Sequence, residues 1–353
     1  MVSAIGIGGG SLYTASDAEI DRLISYAIDR GVNLIDTVMY DESASSQVAS
    51  SLRGCRAEMV IQMHLGAIYP DGVYTRTRAL SKVKRGFERE LEKYGTDYAN
   101  IGIIHCVDED EDFEEIMEGG IFAYALEQKK SGAIRQLGFS SHEPRICRRF
   151  IDTGEIDVFM LSVNASYDFE RGADGLALSK ERTELYAGCQ RRGIGITVMK
   201  PYGGGQLLDA KTSPLGIAMT IPQCLSYALD RPAVLSCLPG VGSLSDMEAA
   251  LGYFDASPAE RDYSFIAGAG GASTEGSCIY CNHCQPCPRG IPIGLVNKYF
   301  DLAKAGDALA RDHYLRLGRK ASDCVGCGAC EKACPFHVGV MDRMESIRGF
   351  FAV

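Results

Sequence analysis

The chain contains no apolar run approaching the ~18 residues that would suggest a membrane span, which sets that class aside. Positive charge is in deficit, with 36 Lys and Arg against 46 Asp and Glu, a net charge of -10 and a pI near 5.2. That balance argues against a nucleic-acid partner. No secretory leader is recognisable, so the expectation is a cytoplasmic protein in a reducing compartment, where a disulfide framework is not expected. Tryptophan is absent altogether, and this absence carries no functional message. What remains, 353 residues at 46% hydrophobic, suffices for a large core and suggests one large domain followed by a smaller one.

Cysteine is plentiful, and eight of the 14 fall in the last quarter. Cys278, Cys281, Cys284 and Cys287 recur every third residue and precede Pro288. Cys324, Cys327, Cys330 and Cys334 follow C-x2-C-x2-C-x3-C and precede Pro335. Three thiolates two residues apart wrap one cubane, and a fourth before a proline reaches the other. The pattern pairs Cys278, Cys281, Cys284 and Cys334 on one [4Fe-4S] cluster, and Cys324, Cys327, Cys330 and Cys287 on the second. It resembles a bacterial two-cluster ferredoxin. Zinc is the weaker reading, because zinc sites are usually built from two C-x2-C pairs. Cys55, Cys106, Cys147, Cys189, Cys224 and Cys237 have no ligand spacing and read as small buried hydrophobes.

Ahead of the cysteines, short apolar runs alternate with helical patterns, which implies parallel strands with helical crossovers. The strand segments are Val2 to Ile7, Val32 to Ile35, Met59 to Met63, Ile101 to Ile104, Ile134 to Phe139, Val158 to Val163, Ile194 to Met199 and Val234 to Leu238. Ser16 and Glu19 read as a capping box for a helix whose apolar face is Ile20, Leu23, Ile24 and Ala27. Leu80, Val83, Phe87 and Leu91 share the face of another, stopped at Gly95. Eight units over about 255 residues suit an α/β (β/α)8 barrel, a TIM barrel, with polar residues after each strand on the face where such barrels keep their active sites. The acidic loop Asp108 to Asp112 reads as a solvated surface. The expected division is a barrel at 1–255, a Gly/Ala/Ser-rich connection at 256–277, and a small α-helical, ferredoxin-like domain at 278–353. In that domain the helical stretches Leu295 to Ala305 and Leu309 to Leu317 separate the cysteine runs.

GIGGG, GVNLIDT, IIH at Ile103 to His105, LGFSSH, VNASYD, GIGITVMKPYGGG, LPG and both cysteine runs, in this order, resemble the aldo/keto reductase family, in the branch with a C-terminal ferredoxin-like domain. The resemblance implies a (β/α)8 barrel and hydride transfer between nicotinamide and a carbonyl or alcohol. From the family's Asp, Tyr, Lys and His set, Asp36 matches the aspartate and His105 the histidine. Tyr40 lies four residues after Asp36 where the family places its tyrosine five after, and His64 stands where the lysine would be. For the nicotinamide, the resemblance implies Ser140, Ser141, Asn164, Lys200 and Gly240. Met160 and Met199 replace the family's amide-holding glutamine and stacking tyrosine. No basic residue follows Pro239-Gly240 to grip a 2'-phosphate, so NAD(H) is expected ahead of NADP(H).

Three functions follow. The first is an iron-sulfur oxidoreductase that holds a small carbonyl, alcohol or related substrate in the barrel and passes electrons through two [4Fe-4S] clusters, with ferredoxin or flavodoxin as the expected redox partner. The second is an NAD(P)H-dependent carbonyl reductase with structural or ferredoxin-linked clusters. The third is a non-catalytic electron-transfer subunit. Since no lysine supports Tyr40, His105 and His64 are the expected acids, because their ordinary pKa lies near neutrality.

Overall fold

The computed structural model describes residues 1–353 except 173–174, 267–275, 277, 279, 281–283, 305–306, 335 and 352–353. Cys281 and Pro335 lie outside the described residues, as does most of the glycine-rich part of the connection.

Eight strands, each parallel to its neighbours, form one sheet: Ile7–Gly8, Leu34–Asp36, Val60–Leu65, Ala99–Ile104, Ile134–Ser141, Val158–Ser162, Gly195–Met199 and Val234–Leu238. Parallel bridges Ile5–Cys237 and Gly8–Gly240 bring the first strand back to the eighth and close the barrel. Closure there depends on a missing side chain, since a Cβ on Gly8 would stand 2.5 Å from the Pro239 carbonyl oxygen. The first strand is shorter than the apolar run Val2 to Ile7 suggests. The Ser3 N–H donates to the Asn33 side chain at 2.7 Å, so the chain ahead of the Ile5–Cys237 bridge is tied by a side chain.

Helices cover the barrel for the reason their sequences give. Asp17–Asp29 buries Ile20, Leu23, Ile24 and Ala27, and the Ser16 side chain caps it by accepting from the Glu19 N–H. Only half of the expected capping box forms, because the Glu19 carboxylate instead accepts from the Leu244 N–H at 3.0 Å. Leu80–Lys93 buries Val83 and Phe87. Phe139 stacks on Phe150 and on Phe159, with ring centroids 4.3 and 5.2 Å apart, tying the fifth and sixth strands to the helix Pro144–Asp152.

Inside the barrel, alternation along the strands turns Asp36, Gln62 and His64 to one face, with Asp36 paired to Gln62 in register. Gln62 donates to Asp36 at 2.6 Å and accepts from Thr197 at 3.1 Å, so a polar layer crosses the barrel below its C-terminal mouth. A short antiparallel hairpin, Ala67–Ile68 with Thr75–Arg76, follows the third strand.

The C-terminal region has its own core, in which Val296, Tyr299, Tyr314, Phe336, Ile347 and Phe351 are buried. The helices Ile293–Lys304, Ala308–Leu315 and Val340–Phe351 supply most of it. Cys278, Cys284, Cys287, Cys324, Cys330 and Cys334 pack against this core.

Candidate active site

The helices Ile293–Lys304 and Ala308–Leu315 lie on the barrel mouth and are bonded to it at several buried points. Tyr299 donates to Asp108, Lys298 pairs with Glu143 at 3.5 Å, Lys200 pairs with Asp307 at 3.0 Å, and the Tyr74 hydroxyl meets His313 at 2.9 Å. Asp108 is therefore no solvated residue. It is 4% exposed and accepts from Ser141 at 3.0 Å, from the His142 N–H at 2.6 Å and from His142 Nδ1 at 3.0 Å, besides Tyr299. Asp112, in the first turn of the helix Asp110–Glu118, holds Arg76 and Arg78. Asp108 and Asp112 therefore anchor neighbouring elements, which corrects the reading of these two as solvated, while Glu111 between them is exposed as expected.

A cavity of about 490 Å³ lies beneath this cover, within the usual range for a small-molecule site. Asp36, His64 and His105 line it from the barrel, and Asp307, Leu309 and His313 line it from the C-terminal helices. Val38, Met160, Met199 and Leu238 make much of the remaining wall apolar. Cys106 also lines the cavity, in a left-handed conformation with φ of 44°. Its N–H donates to the Ser140 hydroxyl at 2.8 Å, and its carbonyl accepts from Arg76 at 2.7 Å and Arg78 at 2.8 Å. Those bonds hold a conformation that a non-glycine residue otherwise avoids.

Of the four barrel residues expected in the catalytic set, the structure brings three together. His64 Nε2 is 2.6 Å from Asp36 Oδ2, and His64 Nδ1 is 2.8 Å from His105 Nδ1. Tyr40 does not join them. It is 36% exposed and packs on the Tyr13 ring at 5.0 Å, because Asp41 immediately caps the helix Glu42–Ser51 by accepting from the Ala44 N–H at 2.8 Å. The shorter loop leaves no residue to swing the phenol inward. Tyr74 supplies the buried hydroxyl instead, with its oxygen 2.5 Å from His105 Nε2. Its position follows from backbone pairing, since the Tyr74 N–H donates to the Tyr40 carbonyl at 2.8 Å.

Burial is the largest influence holding His105 well below the ordinary histidine pKa, and the rings of His64 and His313 add to it. His313 is likewise held well below, first by burial and then by His142 and Lys200. Burial also drives Tyr74 well above the ordinary phenol value. The neutral forms are therefore the resting forms of all three. His142 is lowered too, by burial against the opposing Asp108 charge, and its Nε2 faces the Lys200 ammonium at 3.1 Å.

The residues expected to hold a nicotinamide divide. Ser140, Lys200 and Gly240 line the cavity. Ser141 instead donates to Asp108, and Asn164 donates to the Lys200 carbonyl at 2.9 Å while accepting from Ser166 and from the Tyr167 N–H. Asn164 is fully buried, so its amide serves the cap of a short helix and is committed, and so is Ser141. The Asp246 carboxylate lines the cavity beside Gly242, a poor neighbour for a phosphate. Of the five expected residues, Ser140, Lys200 and Gly240 therefore remain on the cavity wall, and Ser141 and Asn164 are bonded within the protein.

The cysteines do fit clusters. Cys287, Cys324, Cys327 and Cys330 line one small pocket together, which is the set expected for the second cluster. The Gly276 N–H donates to the Phe336 carbonyl at 2.7 Å, laying the chain before Cys278 against the chain after Cys334. Cys106, Asp108 and His142 also bring ligand-type atoms within 4.8 Å of one another, but Asp108 already accepts from Ser141, His142, Tyr299 and the Cys106 thiol and serves as an anchor.

Tyr74 and His313 were beyond sequence reasoning. Tyr74 lies in a loop with no periodicity. His313 did leave a signal, a polar residue four after Leu309 on the buried face of Ala308–Leu315.

Two family models match the chain, the aldo/keto reductase family over residues 4–218 and a 4Fe-4S dicluster domain over residues 277–341. An aldo-keto reductase of Mycolicibacterium smegmatis is 30% identical over 136 residues, spanning 38% of this chain and 43% of that protein. Among solved structures, an aldo-keto reductase from Bacillus halodurans in its holo form superposes with a TM-score of 0.61 at 20% identity, covering 77% of this chain and 93% of that one. An aldo/keto reductase from Klebsiella pneumoniae in complex with NADP and acetate gives 0.54 at 18% identity, covering 76% and 90%. The chain belongs to the aldo/keto reductase family and carries a 4Fe-4S dicluster domain after its barrel.

Proposed function

We propose that the chain is an oxidoreductase in which the barrel cavity binds an uncharged, largely apolar alcohol or carbonyl compound and the C-terminal domain connects that cavity to an external one-electron carrier of the ferredoxin or flavodoxin kind. The observation that carries this reading is the shared cavity, lined by Asp36, His64 and His105 from one domain and by Asp307, Leu309 and His313 from the other. A domain that served only to carry electrons elsewhere would have no reason to build a wall of the substrate site.

In this reading residues 1–255 are the catalytic barrel, 256–277 the connection and 278–353 the cluster domain. Cys278, Cys281, Cys284 and Cys334 would hold one [4Fe-4S] cluster and Cys324, Cys327, Cys330 and Cys287 the other. Bound clusters of this kind supply one-electron transfer at potentials set by their surroundings. The chain's own residues do the rest. The apolar wall of Val38, Met160, Met199 and Leu238 excludes water and selects an uncharged substrate. Alcohol and carbonyl forms differ by two electrons and two protons; the buried chain of Asp36, His64, His105, Tyr74 and His313 holds the proton exchanged at oxygen, and the proton at carbon is exchanged with water. Lys200, neutralised by Asp307, keeps the cover seated.

The test is an anaerobic preparation assayed for iron and sulfide, and for turnover of a panel of aromatic and alicyclic alcohols, aldehydes and ketones. Methyl viologen, oxidised or dithionite-reduced, is the one-electron partner, and NADH and NADPH serve in parallel. Viologen-coupled turnover that needs the iron supports the reading. Turnover by iron-free protein with a nicotinamide alone overturns it.

A further inference from the structure

We propose that His313, contributed by the cluster domain, exchanges the proton with the substrate, at the cavity end of a hydrogen-bonded wire that runs through Tyr74, His105 and His64 to Asp36. The inference rests on the reading of the cavity as the substrate site.

Donor counting fixes the wire from its buried end. Asp36 accepts from the Val38 N–H at 3.3 Å and from Gln62 Nε2 at 2.6 Å, so its oxygens act as acceptors and His64 donates from Nε2. His64 Nδ1 is then bare and accepts from His105 Nδ1–H at 2.8 Å. His105 Nε2 is bare in turn and accepts the Tyr74 proton at 2.5 Å. The Tyr74 oxygen accepts from His313 Nε2–H at 2.9 Å. Each contact has one donor and one acceptor, and none is left over until the last atom.

That atom is His313 Nδ1. It is buried and has no hydrogen-bond partner among the described residues, while its ring lines the cavity. Both nitrogens of His64 and of His105 are occupied by the wire itself, so a substrate would have to break a bond to reach them. An unpaired buried nitrogen is destabilising, and a substrate hydroxyl relieves that cost. All five side chains belong to residues at most 5% exposed, and since Asp36, His64, His105 and His313 all line the cavity, the path runs along its wall.

One passage moves one proton. The substrate O–H bond breaks as His313 Nδ1–H forms, and His313 Nε2–H passes to the Tyr74 oxygen. Tyr74 gives its own proton to His105 Nε2, His105 Nδ1–H passes to His64 Nδ1, and His64 Nε2–H passes to Asp36 Oδ2. The substrate is left as the alkoxide and Asp36 as the neutral acid, and the reverse passage protonates the oxygen of a reduced carbonyl. Every ring begins and ends neutral, which suits His105 and His313, where burial, with His142, Lys200, Arg76 and Arg78 nearby, disfavours imidazolium.

The experiment uses the iron-loaded, oxidised full chain labelled with ¹⁵N-histidine, and NMR reads which ring nitrogen carries each proton at neutral pH. The expected set is Nε2–H on His313, Nδ1–H on His105 and Nε2–H on His64; the fully reversed set, which needs Asp36 to donate and puts a proton on His313 Nδ1, overturns the donor count. A mixed set, such as Nδ1–H on both His313 and His105, leaves Tyr74 facing two acceptors and overturns it. Tyr74→Phe, with iron content unchanged, should shift the His313 and His105 signals together and lower viologen-coupled kcat about a hundredfold with KM preserved. A Tyr74→Phe protein with native kcat and native solvent deuterium isotope effect also overturns the wire. The tautomer readout needs neither substrate nor electron carrier, so its failure would leave the redox reading of the site standing.

Discussion

His313 Nε2 lies 2.9 Å from the Tyr74 hydroxyl across 239 positions of sequence, joining the cluster domain to a loop at the barrel mouth. The same interface seats Tyr299 on Asp108 and Lys298 on Glu143. The C-terminal helices therefore complete one wall of the cavity through Asp307, Leu309 and His313.

Loosening that interface should cost stability without touching the cysteines. Tyr299→Phe removes one of the donors to buried Asp108, and a loss of about 1–3 kcal/mol is expected. Denaturant unfolding of the iron-loaded protein measures it. An unchanged midpoint would mean that Asp108 does not depend on the second domain.

Tyr40→Phe should leave at least half of the activity, because this phenol is exposed and turned from the cavity. His105→Ala interrupts the hydrogen-bonded chain and should lower kcat by about 10²-fold or more. Parallel assays at equal iron content check the pair, and the reverse order of effects would restore Tyr40 to the site.

These two residues also mark how far the sequence could be read. The barrel was visible because apolar strands alternate with helical patterns, and a residue such as His105, placed directly after a strand, has only the mouth to occupy. Cluster spacing was visible because three thiolates on one short segment are dictated by cubane geometry. Tyr74 was not visible, since its position depends on its N–H pairing with the Tyr40 carbonyl, a contact across a loop without periodicity. His313 was hidden for another reason. Helical spacing places it on a buried face, but which surface that face meets is decided by domain docking.

The buried neutral histidines set an acid limit. His105 and His313 have folded pKa values below the ordinary one, so the unfolded chain binds protons that the folded chain refuses. Stability is then full above about pH 6.5 and falls as pH drops below it, by about 1.4 kcal/mol per unit for each such histidine until the folded group itself titrates. Denaturant melts between about pH 5 and 6.5 avoid most carboxylate titration. His313→Gln should reduce the slope by one histidine's share, and an unchanged slope would show that His313 is charged in the fold.

Cys287→Ser should diminish one cluster and leave the other, lowering iron to about half, because Cys287 lines the same pocket as Cys324, Cys327 and Cys330. Cys55→Ser, lying outside both runs, should leave iron unchanged. Full iron in Cys287→Ser would show that the fourth ligand comes from elsewhere.

The most direct measurement of the central claim is a single-turnover reaction. Fully iron-loaded protein is reduced anaerobically, freed of reductant and mixed with the best carbonyl compound of the panel, while the iron-sulfur absorbance and the alcohol product are followed together. The account predicts that the bleached absorbance returns as alcohol forms, at two electrons per molecule of product, and that this slows in Tyr74→Phe. Absorbance that stays bleached while NADH drives the same reduction at an equal rate in iron-free protein would contradict it.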